Sequence, residues 1–577
     1  MSKTTQGSFI TLNGEEFYKI SNYDCMEDFF MTMISASDIW NFCWSQGGLT
    51  AGRIDCDHAV FPYYTADKVK DAKSYTGPHT VITVKSSTST ENWKPFEEID
   101  SSLLDSNNFE RNLYKNVSGT KIIFEEINKK LNLAFRYCWT SSAKFGLVRK
   151  VSVENLSSSS VEVTVLDGCK NILPACVTAD FQNNNSVLLD AYKKTELDTE
   201  SNLAIFTVSS IVTDKAEPNE GLYANTCWFN TKDTPILDLD EKAATISRGK
   251  RPACFIEKNI KLNENACETW YQVFDTYLDS CRVADLTAKL ADKVALTKEL
   301  EEDIENGTKA IMNRIAEADG IQETAEKSTT IHHSANVLFN IMRGGIFANG
   351  GKIDVEDFVN STAVRNKAGA KELASLLQSK GISGLVDYST LKDAIFTDDG
   401  CPQAKRLFLE YMPLTFSRRH GDPSRPWNRF AIKIQNPDGS QVLNYEGNWR
   451  DIFQNWEALV WSYPEYIENM CAKFLNAMTI DGFNPYRITR QGIDWEVPEP
   501  DNPWAQIGYW GDHQVIYFEK LLEFCLKTKK QEFLDGLNEA IYASSNVPYR
   551  IADYDAILKD PRNTITFDYK LNSELLE

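Results

Sequence analysis

The chain has 577 residues, 42% of them hydrophobic and 25% charged, which is too long for one core and ordinary for a folded multidomain protein. Its formal net charge of −21 repels phosphate backbones and anionic lipid, which sets nucleic acid and membrane surfaces aside as partners. No uninterrupted apolar run approaches the roughly 20 residues a bilayer span needs, and the start, Met1-Ser-Lys-Thr-Thr-Gln-Gly-Ser8, lacks an apolar signal core, so a cytoplasmic location is expected.

From about residue 8 to 280 the pattern is short alternating runs separated by Ser, Asn, Asp and Gly. Examples are Thr80–Lys85, Lys121–Glu125, Leu147–Val153, Val161–Leu166 and Ala204–Val208. Period-two alternation between turn residues predicts an antiparallel β-sandwich over 1–281. Segment 86–104 and the Asn-rich 182–185 read as loops. Over 282–330 the composition turns to Ala, Leu, Lys and Glu with helical spacing at Leu286, Leu290, Val294, Leu296 and Leu300, which predicts a helical linker. A helix packed on a neighbour and a short coiled coil both fit that spacing.

From 331 to 577 the chain reads as a helical domain. Asn336–Arg343 stops at Gly344-Gly345, and Lys367–Ser379, Tyr388–Phe396, Asp451–Tyr463, Glu465–Met478, Gln514–Thr528 and Lys530–Ser544 carry helical patterns. A hairpin insertion is expected near 412–449, turning at Asn436-Pro-Asp-Gly-Ser440. The 13 cysteines are scattered, odd in number and free of a Cys-x-x-Cys pair. They read as reduced thiols, and no metal site or cofactor is expected.

Three stretches carry chemistry beyond core building. The first is Trp449-Arg450-Asp451-Ile-Phe-Gln454-Asn455-Trp456. If Asp451 opens a helix, Arg450 and Gln454, and Asp451 and Asn455, stand one turn apart while the apolar members bury. Such an end favours an ionised carboxylate that accepts hydroxyl hydrogen bonds, with a plain N-cap as the structural alternative. The second runs from Gly482 to His513 and includes Arg487, Asp494, Trp495, Glu496, Asp512 and His513. Asp, Arg, Asn and Gln orient sugar hydroxyls while Trp and Tyr cover apolar pyranose faces, so both stretches predict substrate contacts in a cleft. Glu496 and Asp494 are the expected proton donors, and Trp449 or Trp495 the expected stacking surface. The third, Ser417 to Arg429, offers Arg418, Arg419, His420 and Arg425 as a basic cluster for phosphate, against the alternative of salt bridges within an acidic protein.

Sandwich, helical linker and helical domain in that order resemble the cellobiose and chitobiose phosphorylase group of inverting glycoside phosphorylases and related glycoside hydrolases. The resemblance is carried by Trp44-Ser-Gln-Gly-Gly-Leu-Thr-Ala-Gly-Arg53 with Phe61-Pro-Tyr63, by Leu166-Asp-Gly168 with Asn171-Ile-Leu-Pro174, by Asn336-Val-Leu-Phe-Asn340 and by Arg450-Asp451-x-x-Gln454. It implies an α/α toroid-type helical domain in which Arg450 and Asp451 hold the donor-side sugar and Asp512 faces substrate. Asn455 stands where the family has a second Asp, and no later segment matches the family's general acid. About 245 residues follow His332, fewer than the roughly 350 that twelve barrel helices need, so an incomplete barrel is expected.

The resemblance implies inverting transfer of a glycosyl unit from a β-linked oligosaccharide to inorganic phosphate as co-substrate. An inverting hydrolase on the same scaffold is the alternative, as is a non-catalytic carbohydrate-binding or split-enzyme subunit that lacks the general acid. Partner expectations follow: an oligosaccharide or sugar, a second polypeptide or C-terminal portion completing the barrel, and a homodimer.

Overall fold

The computed structural model describes residues 3–85, 90–97, 108–213, 219–398, 401, 403–425, 429–436, 438–497, 499, 501, 513–561 and 563–577, with the side chain of 513 left undescribed. The chain divides into two compact units, one of Met1–Asn313 with Gly421–Ile432 and one of Arg314–His420 with Lys433–Glu577.

The first unit is built on an 11-stranded antiparallel sheet and two 4-stranded sheets. All five alternating runs named above lie in strands apart from Lys121, which precedes the strand Ile122–Asn128; the others include Gly77–Lys85, Gly146–Asn155 and Val161–Lys170. The layers share one core: Phe124, Phe135, Trp139 and Trp270 of the large sheet cluster with Ile82, Val165 and Ile256 of one small sheet and Ile39, Leu49 and Phe61 of the other. A buried ion pair pins two layers together. Arg149 on the large sheet donates to both oxygens of Asp167 at 2.9 and 2.8 Å, and Asp167 also accepts from Thr80 Oγ1 at 2.7 Å and Trp270 Nε1 at 3.0 Å. Neither charged side chain has any exposed surface.

Residues 182–185, expected as a loop, begin inside the helix Ala179–Asn184. Thr178 caps that helix by accepting from Phe181 N, and Asp180 sits in its first turn, so local capping outweighs the low helix propensity of Asn. Of the expected loop 86–104, Thr90–Trp93 forms a strand paired with Ile82–Lys85; positions 86–89 and 98–104 lie outside the described residues. The linker helices Ser280–Lys289 and Lys293–Glu317 place Leu286, Leu290, Leu296, Leu300 and Ile304 against Phe145, Val148, Trp228 and Tyr271. Their apolar seam therefore packs on the sheet rather than pairing as a coiled coil.

The expected insertion at 412–449 is not a free-standing hairpin. Leu414–Thr415 pairs with Ile346–Phe347 and Glu446–Asn448 pairs with Arg487–Thr489, while the expected turn is closed by the bridge between Gln435 and Gln441, by Asn436 N donating to Ser440 O at 2.8 Å and by Val442 N donating to Ile434 O at 3.1 Å. Residues 421–432 join the first unit because their apolar side chains find partners there. The Phe430 ring lies 5.2 Å from Trp40, 5.6 Å from Tyr63 and 5.9 Å from Phe42, and Ile432 N donates to Ile54 O at 2.7 Å.

In the second unit the helices Lys367–Ser379 and Tyr388–Phe396 match the sequence pattern, and Val355–Arg365 precedes them. Lys530–Gly536 is half the length expected for Lys530–Ser544. The helix Lys327–Gly344 ends at Gly345, whose φ of 85° only glycine adopts without strain. Gly344 itself allows a close approach. A Cβ there would stand 2.6 Å from Asn455 Cβ on the helix Trp449–Leu459, and Trp456 Nε1 donates to Gly344 O at 2.9 Å.

Candidate functional site

The helix Trp449–Leu459 begins two residues before Asp451, with Asn448 at its N-cap position. Asp451 is therefore no N-cap; it lies in the first turn, where the helix dipole favours a carboxylate. Its side chain is exposed and makes no hydrogen bond or ion pair with any described residue. Gln454 is exposed on the same helix and Arg450 half-buried, while Ile452, Phe453, Trp456 and Leu459 bury the opposite side.

Two of the expected contacts turn inward. Trp449 has no exposed surface, and its ring packs 4.7 Å from Phe453 and 5.6 Å from Phe474. It belongs to the core and offers no face to a sugar. Asn455 is buried and forms a reciprocal amide pair with the Lys327–Gly344 helix: its Nδ2 donates to Asn340 Oδ1 at 2.8 Å, and Asn340 Nδ2 donates to Asn455 O at 3.0 Å. It clamps two helices where a ligand contact was expected.

Beside Asp451 a small hollow of about 20 Å³ is bordered by Arg343, Arg418, His420, Glu446, Asp451 and Asn455. The backbone converges there for clear reasons. Buried Ser417 donates its hydroxyl to Arg343 O at 3.0 Å and also lies 3.4 Å from Glu446 O, and Arg418 N donates to Met342 O at 2.8 Å. The preceding Phe416 holds a φ of 65°, a costly conformation for an aromatic residue, and the Arg418 guanidinium lies 5.0 Å over its ring. Arg343 Nη2 approaches His420 Nε2 at 2.8 Å.

Glu446 is the residue that sequence reasoning missed. One carboxylate oxygen accepts from Arg487 Nη2 at 2.8 Å, while Oε1 is buried with no hydrogen-bond partner among the described residues. Its signal was its place in a short strand five residues ahead of Asp451, but Glu446–Asn448 is too brief for periodicity to show. Arg487 also reaches toward Asp494, with Nε 3.7 Å from Oδ2, so Glu446, Arg487 and Asp494 form a chain of charges across the three-stranded sheet.

The remaining predicted residues divide. Asp494 is exposed. Trp495 is half-buried, its ring 5.5 Å from Tyr549 and 5.6 Å from Phe483 in an aromatic cluster. Half-buried Glu496 uses its backbone oxygen to accept from Tyr549 OH. Arg418, Arg419 and His420 belong to the second unit, and Arg425 is exposed on the segment that joins the first. The bland alternative holds for Arg429, which pairs with Asp57 at 3.7 Å and with Asp180. Asp512 and the His513 side chain lie outside the described residues.

A larger hollow of about 710 Å³, unforeseen from sequence, includes Tyr388, Lys392, Glu468, Lys529 and Glu532 in its wall. Its central charges are mutually paired: Lys392 Nζ lies 2.5 Å from Glu468 and 2.8 Å from Glu532, and Lys529 Nζ lies 4.0 Å from each. Among the described residues no group of three or more His, Cys, Asp or Glu is arranged to hold a metal ion, and no helix is long and apolar enough to cross a membrane.

No family model and no curated protein matches the chain. Solved structures are similar at low identity. A putative kojibiose phosphorylase from the human microbiome is 9% identical with a TM-score of 0.25, the match covering 89% of this chain and 50% of that one. A bacterial glucoamylase complexed with acarbose is also 9% identical at a TM-score of 0.25, over 86% of this chain and 74% of that one. A family GH92 alpha-mannosidase from Bacteroides thetaiotaomicron is 10% identical at a TM-score of 0.23, over 72% of this chain and 60% of that one. The chain thus spans half the length of the kojibiose phosphorylase, and TM-scores this low assign no fold.

Proposed function

We propose that this is a carbohydrate-active protein that seats a saccharide against the exposed first turn of the Trp449–Leu459 helix, and that its reaction is inverting phosphorolysis of a β-linked oligosaccharide. The supporting observation is the pairing of two acceptors around one hollow: the partner-free carboxylate of Asp451 and the orphaned Oε1 of Glu446. An unpaired buried carboxylate oxygen is costly unless a donor arrives, and a sugar hydroxyl is such a donor. The hollow has room for about one water, hence for one hydroxyl or hydroxymethyl group, with the ring lying outside over Asp451 and Gln454.

In this reading Arg450, Asp451 and Gln454 orient the donor sugar, and Arg343, Arg418 and His420 supply the cationic side of the hollow to phosphate. One carboxylic acid protonates the leaving glycosidic oxygen while phosphate attacks the opposite face of the sugar. Of the two expected acids, Asp494 is the one tied to the hollow through Arg487 and Glu446.

The test is incubation of the purified chain with β-linked oligosaccharides, with and without orthophosphate. The expected product is a glycosyl phosphate of inverted anomeric configuration, formed only with phosphate; free sugar released without phosphate would identify a hydrolase. Asp451→Asn is expected to weaken saccharide binding or turnover by tenfold or more while shifting stability by less than about 0.5 kcal/mol. A large stability loss at unchanged saccharide affinity would sink the assignment.

A further inference from the structure

We propose that a second cavity in the helical unit, walled by Arg365, Glu410, Lys473, Asn476 and Thr489, binds a small tetrahedral oxyanion of the phosphate or sulfate type, with the Lys473 amine as its switchable contact. The cavity shares no lining residue with the hollow at Asp451, and the inference stands apart from the saccharide reading.

Four elements build the site. Lys473 and Asn476 lie three apart, on one side of the helix Ile467–Ala477. Arg365 ends the helix Val355–Arg365, Glu410 follows the helix Ala404–Leu409, and Thr489 ends the strand Arg487–Thr489. Its volume of about 110 Å³ holds several waters or one small polyatomic ion.

Charge then selects the sign of the ligand. Glu410 is already held by Arg406 Nη1 at 2.7 Å, by Asn476 Nδ2 at 3.0 Å and by Arg365 Nε at 3.4 Å. Arg490, beside them, pairs with Asp357 at 2.5 Å, donates Nη1 to Leu443 O at 3.2 Å and keeps a buried Nε without a hydrogen bond among the described residues. In the wall itself Arg365 offsets Glu410, so the cationic character of the cavity comes from Lys473, on which the guanidinium groups of Arg365 and Arg490 act against the one carboxylate of Glu410.

Lys473 is only 6% exposed, yet its Nζ makes no hydrogen bond or ion pair with any described residue. Holding a charged amine in so little solvent without a counter-ion is destabilising. Burial first, then Arg365 and Arg490 against the opposing pull of Glu410, bring its pKa down to about 7. With Arg365 and Glu410 offset, the cavity is net positive only when Lys473 carries its proton, so entry of an anion and uptake of a proton by that lysine are coupled.

Sulfate is the probe of choice because it has no proton to exchange between pH 6 and 9. Calorimetric titration of the full chain with sulfate, in buffers of different ionisation heat, is expected to show uptake approaching one proton per sulfate at pH 8 and little at pH 6. The sulfate Kd is expected to weaken about eightfold from pH 7.5 to 8.5, since the fraction of charged lysine falls through a pKa of about 7. Inorganic phosphate should compete with sulfate, whereas acetate should not. Competitive acetylation read by mass spectrometry needs no variant: sulfate is expected to slow Lys473 modification at least fivefold relative to exposed lysines. Lys473→Met should remove the proton uptake. Unchanged acetylation of Lys473 in saturating sulfate, pH-independent binding, or absence of sulfate binding would each overturn the proposal, and competition by acetate alone would replace the tetrahedral ligand with a carboxylate.

Discussion

Arg149→Met is expected to cost the first unit about 3–5 kcal/mol of stability, because it leaves the Asp167 charge buried without its counter-ion. Thr80 and Trp270 still donate to Asp167 in the variant, but neither carries charge. The Cζ of Arg149 also lies 5.0 Å over the Tyr137 ring, a contact that methionine only partly replaces. Adding Asp167→Asn removes the orphaned charge; its amide oxygen can accept from Trp270 Nε1 while its amide nitrogen donates to the Thr80 hydroxyl, which turns from donor to acceptor, so the double variant should recover most of the loss. Urea midpoints read by tryptophan fluorescence check both; a single variant within 1 kcal/mol of the parent would show that the pair contributes little.

Lys473→Met is expected to act in the opposite direction and stabilise the protein by a few kcal/mol at pH 6 to 7 in the absence of sulfate and phosphate. The sign follows from proton counting. Burial brings the Lys473 amine down to about 7 in the folded protein, against 10.5 for an exposed lysine. Between those values the unfolded chain binds the additional proton, so the lysine's contribution to stability rises with pH across that window. Below pH 7 both states are charged and the burden is at its full, constant size. The advantage of methionine should therefore be greatest at or below pH 7 and shrink toward pH 10. Denaturation midpoints at pH 6 and 9.5 decide it, and an advantage that grows with pH would contradict the account.

Much of the fold was legible because its strands and helices are amphipathic. The alternation of Val161–Leu166 places Val163 and Val165 in the core, and the linker spacing places Leu286, Leu290, Leu296 and Leu300 against the sheet. The hidden features depend on tertiary partners instead. Composition marked Trp449 and Asn455 as ligand contacts, but only the packing of Phe474 and Asn340 shows that both point into the protein. Glu446 lay just ahead of the Trp449–Trp456 stretch, and its role depends on Arg487, 41 residues further on. Lys473 was legible only as one polar position in an apolar helix; its meaning comes from Arg365 and Arg490, on separate elements.

The docking of Phe430 among Trp40, Phe42 and Tyr63 has a bearing on biosynthesis. A ribosome that has released residues 1–313 has not yet supplied the ring that covers those aromatics, and the gap stays open until translation passes Ile432. The nascent sheet unit is thus expected to wait with a sticky surface patch while the first helices of the other unit are being made. That interval gives chaperones a natural point of engagement, and chains cut at 313 should express less soluble material than chains carried beyond 432.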